Sequence, residues 1–191
     1  MKQTLVFLTL VFFFNLANSQ EHKEYYENGQ LKSIGILKNG DKIGKWKYYT
    51  YKGKLDRTEK YENSEITVEE WYFNNKVEQI GNYYNGERTG EWKKYHTNGK
   101  LKQVGNYENG KPTGIWKNYH GTGLLKSVGE KDGWKNKGLW KYYHKKNGKL
   151  ETIGSWINGN KTGEWKGYRL NGNLLLIEKF DNGELISTKY F

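Results

Sequence analysis

The chain has 191 residues, with 32 Lys plus Arg against 21 Asp plus Glu, and holds 24 Gly, 16 Tyr and 8 Trp but no Cys. The absence of Cys excludes disulfides and thiolate metal centres, and 16% aromatic residues argue against disorder despite a mean hydropathy of −1.02. The apolar surface is aromatic rather than aliphatic, which suits a thin structure better than a thick core.

Residues 1–19 read as a secretory signal peptide. Lys2 supplies a positive start, Thr4 to Leu16 an apolar run, and Ala17-Asn18-Ser19 a small-x-small cleavage site. The apolar run is too short to span the roughly 30 Å hydrocarbon core. Cleavage is expected between Ser19 and Gln20, giving an exported protein of the periplasm, cell surface or exterior, with residues 20–191 as its repeat domain. Removing the segment takes away one lysine and leaves a formal charge of +10.

The remainder is periodic. Gly-x-Trp-Lys-x-Tyr recurs at 44–49, 90–95, 114–119, 138–143 and 163–168, with Trp71 as a degenerate copy and His22 in the Trp position of a partial first unit. Positions 22, 46, 71, 92, 116, 140 and 165 set a period of about 24 residues. Each unit has a second half, such as Leu101-Lys-Gln-Val-Gly-Asn-Tyr107 or Leu150-Glu-Thr-Ile-Gly-Ser-Trp156. Between the halves stands Asn98-Gly99, Thr122-Gly123, Asn147-Gly148 or Asn171-Gly172. Asn-Gly between β-favouring runs predicts a hairpin with a type I′ turn, positive in φ at both central residues.

That turn sets a register. It places Trp92 opposite Gly105, Trp116 opposite Gly129 and Trp140 opposite Gly154, with His96, His120 and His144 opposite Leu101, Leu125 and Leu150. It also sets Trp46 against Glu59 and Trp165 against Glu178. The expectation is an indole lying across the bare backbone of the glycine it faces, so Trp46, Trp92, Trp116, Trp140, Trp165, Gly105, Gly129 and Gly154 read as structural. Alternation puts Lys93, Tyr95, Lys117, Tyr119, Lys141, Tyr143, Lys166 and Tyr168 on the other side as the candidate interaction surface. The predicted fold is all-β: a single-layer twisted meander of about seven hairpins. Connections such as Glu108 to Gly114, which carries the sole Pro, read as longer loops.

The pattern Tyr-x-x-Asn-Gly-x-Leu-Lys-x-x-Gly-x-Tyr-x-Asn-Gly-x-x-x-Gly-x-Trp-Lys-x-Tyr, clearest from Tyr95 to Tyr119, resembles the MORN-repeat variant found in bacterial YwqK-family antitoxin components. The resemblance implies rows of β-hairpins forming a scaffold, with no catalytic site and no cofactor.

Residues bearing chemistry do not assemble into a catalytic pattern. No nucleophile elbow, P-loop, dinucleotide fingerprint or His-Glu-x-x-His occurs. His96, His120 and His144 recur once per unit, roughly 9.6 Å apart for strands about 4.8 Å apart, which is too far to share a zinc. They read as solvated positions. Asp56 to Glu70 holds six acids against two basic residues but lacks a calcium-loop pattern, and reads as a solvated irregular loop. Gly86 to Lys149 holds fifteen basic residues against five acids. The reading is therefore an envelope or secreted scaffold with an acidic protein partner and an antitoxin-like role. The alternative is binding of envelope glycan or anionic phospholipid through the Lys and aromatic surface. Export argues against nucleic acid.

Overall fold

The computed structural model describes residues 19–191. The predicted signal peptide lies outside them apart from Ser19, which with Gln20 begins the first strand. Fifteen strands make up the fold: β1 (Ser19–Tyr25), β2 (Leu31–Lys38), β3 (Asp41–Tyr49), β4 (Leu55–Glu62), β5 (Glu65–Phe73), β6 (Lys76–Tyr84), β7 (Glu87–Tyr95), β8 (Leu101–Glu108), β9 (Lys111–Tyr119), β10 (Leu125–Asp132), β11 (Lys135–Tyr143), β12 (Leu150–Ile157), β13 (Asn160–Tyr168), β14 (Leu174–Asp181) and β15 (Glu184–Tyr190). They form one sheet whose spatial order is the chain order, every neighbour antiparallel. The fold is the predicted all-β hairpin meander.

The two kinds of turn differ from expectation. The expected type I′ signature appears at Asn39-Gly40, Asn85-Gly86, Asn109-Gly110, Asn158-Gly159 and Asn182-Gly183, where both residues have positive φ. The first four of these lead into a Trp-bearing strand from the strand before it. At Asn98-Gly99, Thr122-Gly123, Asn147-Gly148 and Asn171-Gly172 only the glycine is left-handed. There the His96 amide donates to the Lys100 carbonyl at 2.8 Å, and the Gly99 amide donates to the His96 carbonyl at 2.8 Å. A bulged loop results. It shifts the register by one residue, so that Tyr95, Tyr119 and Tyr143, rather than the histidines, face Leu101, Leu125 and Leu150. The inner pairs are unaffected.

The expected long connection at Glu108 to Gly114 is instead a tight Asn109-Gly110 turn, with Pro112 buried inside β9. Pro112 pairs with Tyr107 on β8, whereas the ladder to β10 begins one residue later, at Thr113 opposite Asp132. No donor is needed from Pro112 on that side, so the ring does not interrupt the sheet.

The acidic stretch is likewise no loop. It forms β4 and β5, paired from Arg57 opposite Trp71 to Glu62 opposite Glu65. Burial is concentrated on one face, in Trp46, Trp92, Tyr107, Trp116, Trp140 and Trp165. This band of aromatics is the core of a one-layer protein.

Candidate functional site

The register aligns one residue from every strand into a central row. It runs His22, Gly35, Trp46, Glu59, Glu69, Gly81, Trp92, Gly105, Trp116, Gly129, Trp140, Gly154, Trp165, Glu178, Thr188. The predicted Trp and Gly pairs are all in this row, but each indole turns away from the strand that follows it. Trp116 covers Gly105 on β8, not Gly129 on β10, and Trp46, Trp92, Trp140 and Trp165 likewise cover Gly35, Gly81, Gly129 and Gly154. A Cβ on any of these glycines would overlap the ring. The cause is a bulge two residues before each Trp, where Gly44, Gly90, Gly114, Gly138 and Gly163 adopt positive φ and the register slips. The slip tilts the indole back over the preceding strand. This also explains Trp46 and Trp165, which have no glycine opposite them on the following strand. The signal was present in the sequence as a Gly eleven residues before each of the five Trp.

Four of the five indoles complete the contact with a hydrogen bond. Nε1 of Trp46, Trp92, Trp140 and Trp165 donates to the carbonyls of Ile36, Asn82, Glu130 and Ser155 at 3.0 to 3.2 Å. The buried Nε1 of Trp116 has no partner. Cations cap three rings: Lys42, Arg88 and Lys161 stand 4.5, 4.3 and 4.4 Å from the centroids of Trp46, Trp92 and Trp165.

In the irregular unit the row position of a Trp is taken by Glu69, not by Trp71, and that of a Gly by Glu59. Both carboxylates are buried. Arg57 Nε and the Tyr61 hydroxyl each donate to Glu59 at 2.7 Å, and the Tyr83 hydroxyl donates to Glu69 at 2.9 Å. Since Tyr61 spends its proton on Glu59, the Tyr48 hydroxyl, 3.2 Å away, is the donor to Tyr61, and Lys42 donates to Tyr48 at 2.8 Å. Burial raises the pKa of Glu59, but the hydrogen bonds it accepts, that of Arg57 foremost, and the charge of Arg57 outweigh it and hold the carboxyl below its ordinary value. Burial and the neighbouring Glu59 push Tyr48 upward, and burial above all pushes Tyr61 up to about 12. This is a satisfied polar plug in the aromatic core, its groups occupied with one another.

The opposite face carries a second continuous row: Lys23, Ile34, Lys47, Thr58, Glu70, Ile80, Lys93, Val104, Lys117, Val128, Lys141, Ile153, Lys166, Ile177, Lys189. Apart from Glu70, lysine alternates with β-branched residues over the whole sheet, so the ammonium stems recur about every 9.6 Å. The predicted Lys93, Lys117, Lys141 and Lys166 belong to this row, with Tyr95, Tyr119, Tyr143 and Tyr168 two residues further along the same strands. Lys47, Lys23 and Lys189 extend it and were missed. Lys47 stands in the same Gly-x-Trp-Lys motif, whereas only the register reveals that Lys23 and Lys189 are collinear with it. Lys93 pairs with Glu91. Among the described residues Lys47, Lys117, Lys141 and Lys166 make no ion pair. Glu70 breaks the row and accepts from Thr58 Oγ1, the Tyr72 hydroxyl and Lys45 Nζ at 2.8, 2.9 and 3.2 Å. Burial raises its pKa, but these bonds prevail and lower it.

The histidines are not solvated. His96, His120 and His144 are partly buried, and their Nε2 atoms lie 3.0, 3.0 and 2.9 Å from the carbonyls of Tyr119, Tyr143 and Tyr168 in the next unit. A carbonyl can only accept, so Nε2 carries the hydrogen. Asn98 and Asn147 repeat the device at the turn tips, donating to Gly121 and Leu170 at 2.8 and 2.7 Å. Unit is thus clamped to unit beyond the strand ladder. Among the described residues no group of three or more His, Asp or Glu is placed to hold a metal ion.

No curated protein matches the chain. Among solved structures, one chain of the TcdB2-TccC3 crystal structure aligns over 87% of this chain at 15% identity and a TM-score of 0.22, and this chain spans only 12% of that one. A family model described as the MORN repeat variant matches residues 21–39 and 88–109. The two matched stretches cover most of the β1–β2 hairpin and most of the β7–β8 hairpin, each with its Asn-Gly turn and row glycine, so these hairpins are similar to MORN repeats, motifs that generally bind proteins or membrane lipid.

Proposed function

We propose that the chain is a non-catalytic binding scaffold, exported to the cell envelope or exterior, whose lysine face docks an acidic protein. The observation that carries this reading is the alternation of Lys with Ile, Val or Thr, interrupted at Glu70 alone. Nearly half of its positions are cations, and those at Lys47, Lys117, Lys141 and Lys166 make no ion pair among the described residues. Such a row steers an acidic partner and fixes its register. A planar anionic membrane fits it less well. Even half the usual rotation of about 20° per strand turns the row through roughly 140° over the sheet, so a plane meets only a few lysines at once. An immunity-like role is the form of the scaffold that the YwqK-family resemblance suggests.

Immobilised protein, and a form with Lys93, Lys117, Lys141 and Lys166 all changed to Glu, are exposed to an envelope extract. The reading expects a protein retained by the parent and lost from the reversed form. It fails if both retain the same proteins or neither retains any. Export is tested separately: the purified envelope or secreted form should begin at Gln20.

A further inference from the structure

One unit departs from the aromatic pattern in a way the lysine face does not use. On the Trp face, the column two residues beyond the row position of each even-numbered strand reads Leu37, Tyr61, Tyr83, Tyr107, Lys131, Trp156, Phe180. Lys131 stands where five other units place an aromatic ring. Its cross-strand partner is Asn136, in the position where Arg88 and Lys161 face Tyr83 and Trp156 in their own units. The usual cation and aromatic have been exchanged for an amide and a cation.

The exchange opens a groove of about 420 Å³ over β8 to β11, within the range of small-molecule sites. Its polar side is a chain of side chains on three successive strands: Gln103 Nε2 donates to Asn118 Oδ1 at 2.9 Å, and Asn118 Nδ2 donates to Ser127 Oγ at 2.9 Å. Gln103 Oε1 and the Ser127 hydroxyl proton have no partner among these bonds, so an acceptor and a donor are held in one line. Tyr142, stacked on Trp140 with centroids 6.0 Å apart, forms the aromatic wall. Lys102 and Lys126 also line the groove.

Lys131 is the unusual group. Its ammonium reaches Asn136 Oδ1 at 3.2 Å but makes no ion pair among the described residues. Burial alone lowers its pKa. It lies 5.9 Å from the Trp140 centroid, against 4.3 to 4.5 Å for the capping cations of other units, so stacking compensates it less well. A partly buried cation without a counter-charge calls for an anion.

We propose that this groove binds an anionic sugar, a carboxylated or sulfated hexose, with the acid group on Lys131, the hydroxyls along Gln103, Asn118 and Ser127, and the ring against Tyr142. The mixed donors and acceptors of the amide chain suit hydroxyls, whereas a bare phosphate would use donors only. This site lies on the face opposite the lysine row and is independent of the protein-binding reading.

Calorimetric titration of the full chain with glucuronate tests the site, with glucose and inorganic phosphate as comparisons. The expected result is saturable glucuronate binding, at least about tenfold weaker for glucose and for phosphate, as loss of a charged or of several neutral hydrogen bonds implies. Lys131→Tyr restores the aromatic of the neighbouring units. It should melt no lower than the parent yet lose at least about tenfold in glucuronate affinity. Lys131→Gln, closer in shape, should lose the same binding. The form reversed at Lys93, Lys117, Lys141 and Lys166 should bind glucuronate within about twofold of the parent, which separates this site from the lysine face. Absence of saturable binding, equal binding of glucose or phosphate, or unchanged affinity in both Lys131 variants overturns the proposal.

Discussion

Glu59 and Glu69 face each other across β4 and β5 in the row where Gly alternates with Trp from Gly81 to Trp165. Two carboxylates replace an aromatic lid and the bare backbone beneath it, and they are held by Arg57, Tyr61 and Tyr83 rather than by solvent.

This plug makes the protein acid-sensitive. The folded state holds Glu59 below its ordinary pKa and so favours its ionised form. Its contribution is complete above the unfolded value of about 4.3 and is lost as pH falls through the lower folded value. Urea denaturation at pH 7 and pH 3 should show a marked loss of stability in acid, and Glu59→Gln should be weaker at pH 7 with a smaller loss on acidification. At the alkaline end Tyr61, raised to about 12, favours the fold in its neutral form. Stability should therefore fall again between its unfolded pKa of about 10 and that value.

Gly129→Ala places a methyl where the Trp140 indole lies. The ring cannot move without leaving its bond to Glu130, so a cost of about 1 to 3 kcal/mol is expected. At Gly121 a methyl would meet open space, and the backbone has no positive φ. Gly121→Ala should stay within about 0.5 kcal/mol of the parent by chemical denaturation.

Trp116→Phe and Trp140→Phe remove the same atoms from equivalent positions. Only Trp140 gives up a hydrogen bond, since Trp116 Nε1 is already unpartnered. Trp140→Phe should be the costlier by about 1 kcal/mol or more. Equal losses would mean that the indole bond contributes nothing net.

His120→Ala removes a clamp between successive turns. The expected loss is about 0.5 to 1.5 kcal/mol, with faster hydrogen exchange of the Gly123 amide at the tip of its own turn. A solvated histidine would give neither effect.

The period, the strands, the hairpin order and the inner register were readable because Trp, Gly and Asn-Gly repeat about every 24 residues, and a repeated error in spacing would have shown itself in the next unit. The turn type was not. Asn98-Gly99 and Asn109-Gly110 are the same dipeptide, yet only the second has two left-handed residues. The bulge at Tyr95 decides between them through the pairing of neighbouring strands. The acidic stretch misled for a similar reason: six acids read as solvent-facing, but Glu59 and Glu69 fall on the inward face, where Arg57 and two tyrosines await them. The lysine row was only partly visible, because Lys23 and Lys189 lie outside the Gly-x-Trp-Lys motif that the other members share.

The sequence by itself determined that this is a repeated hairpin sheet with tryptophan and glycine at its centre, because local turn chemistry and strict periodicity leave little else for the chain to form. Only the tertiary structure decided which glycine each tryptophan covers. That choice depends on a bulge two residues before the indole, and the bulge exists only once a neighbouring strand sets the register. The same cross-strand alignment makes one lysine row from residues scattered between Lys23 and Lys189, and sets Lys131 in an aromatic's place, with its charge left open.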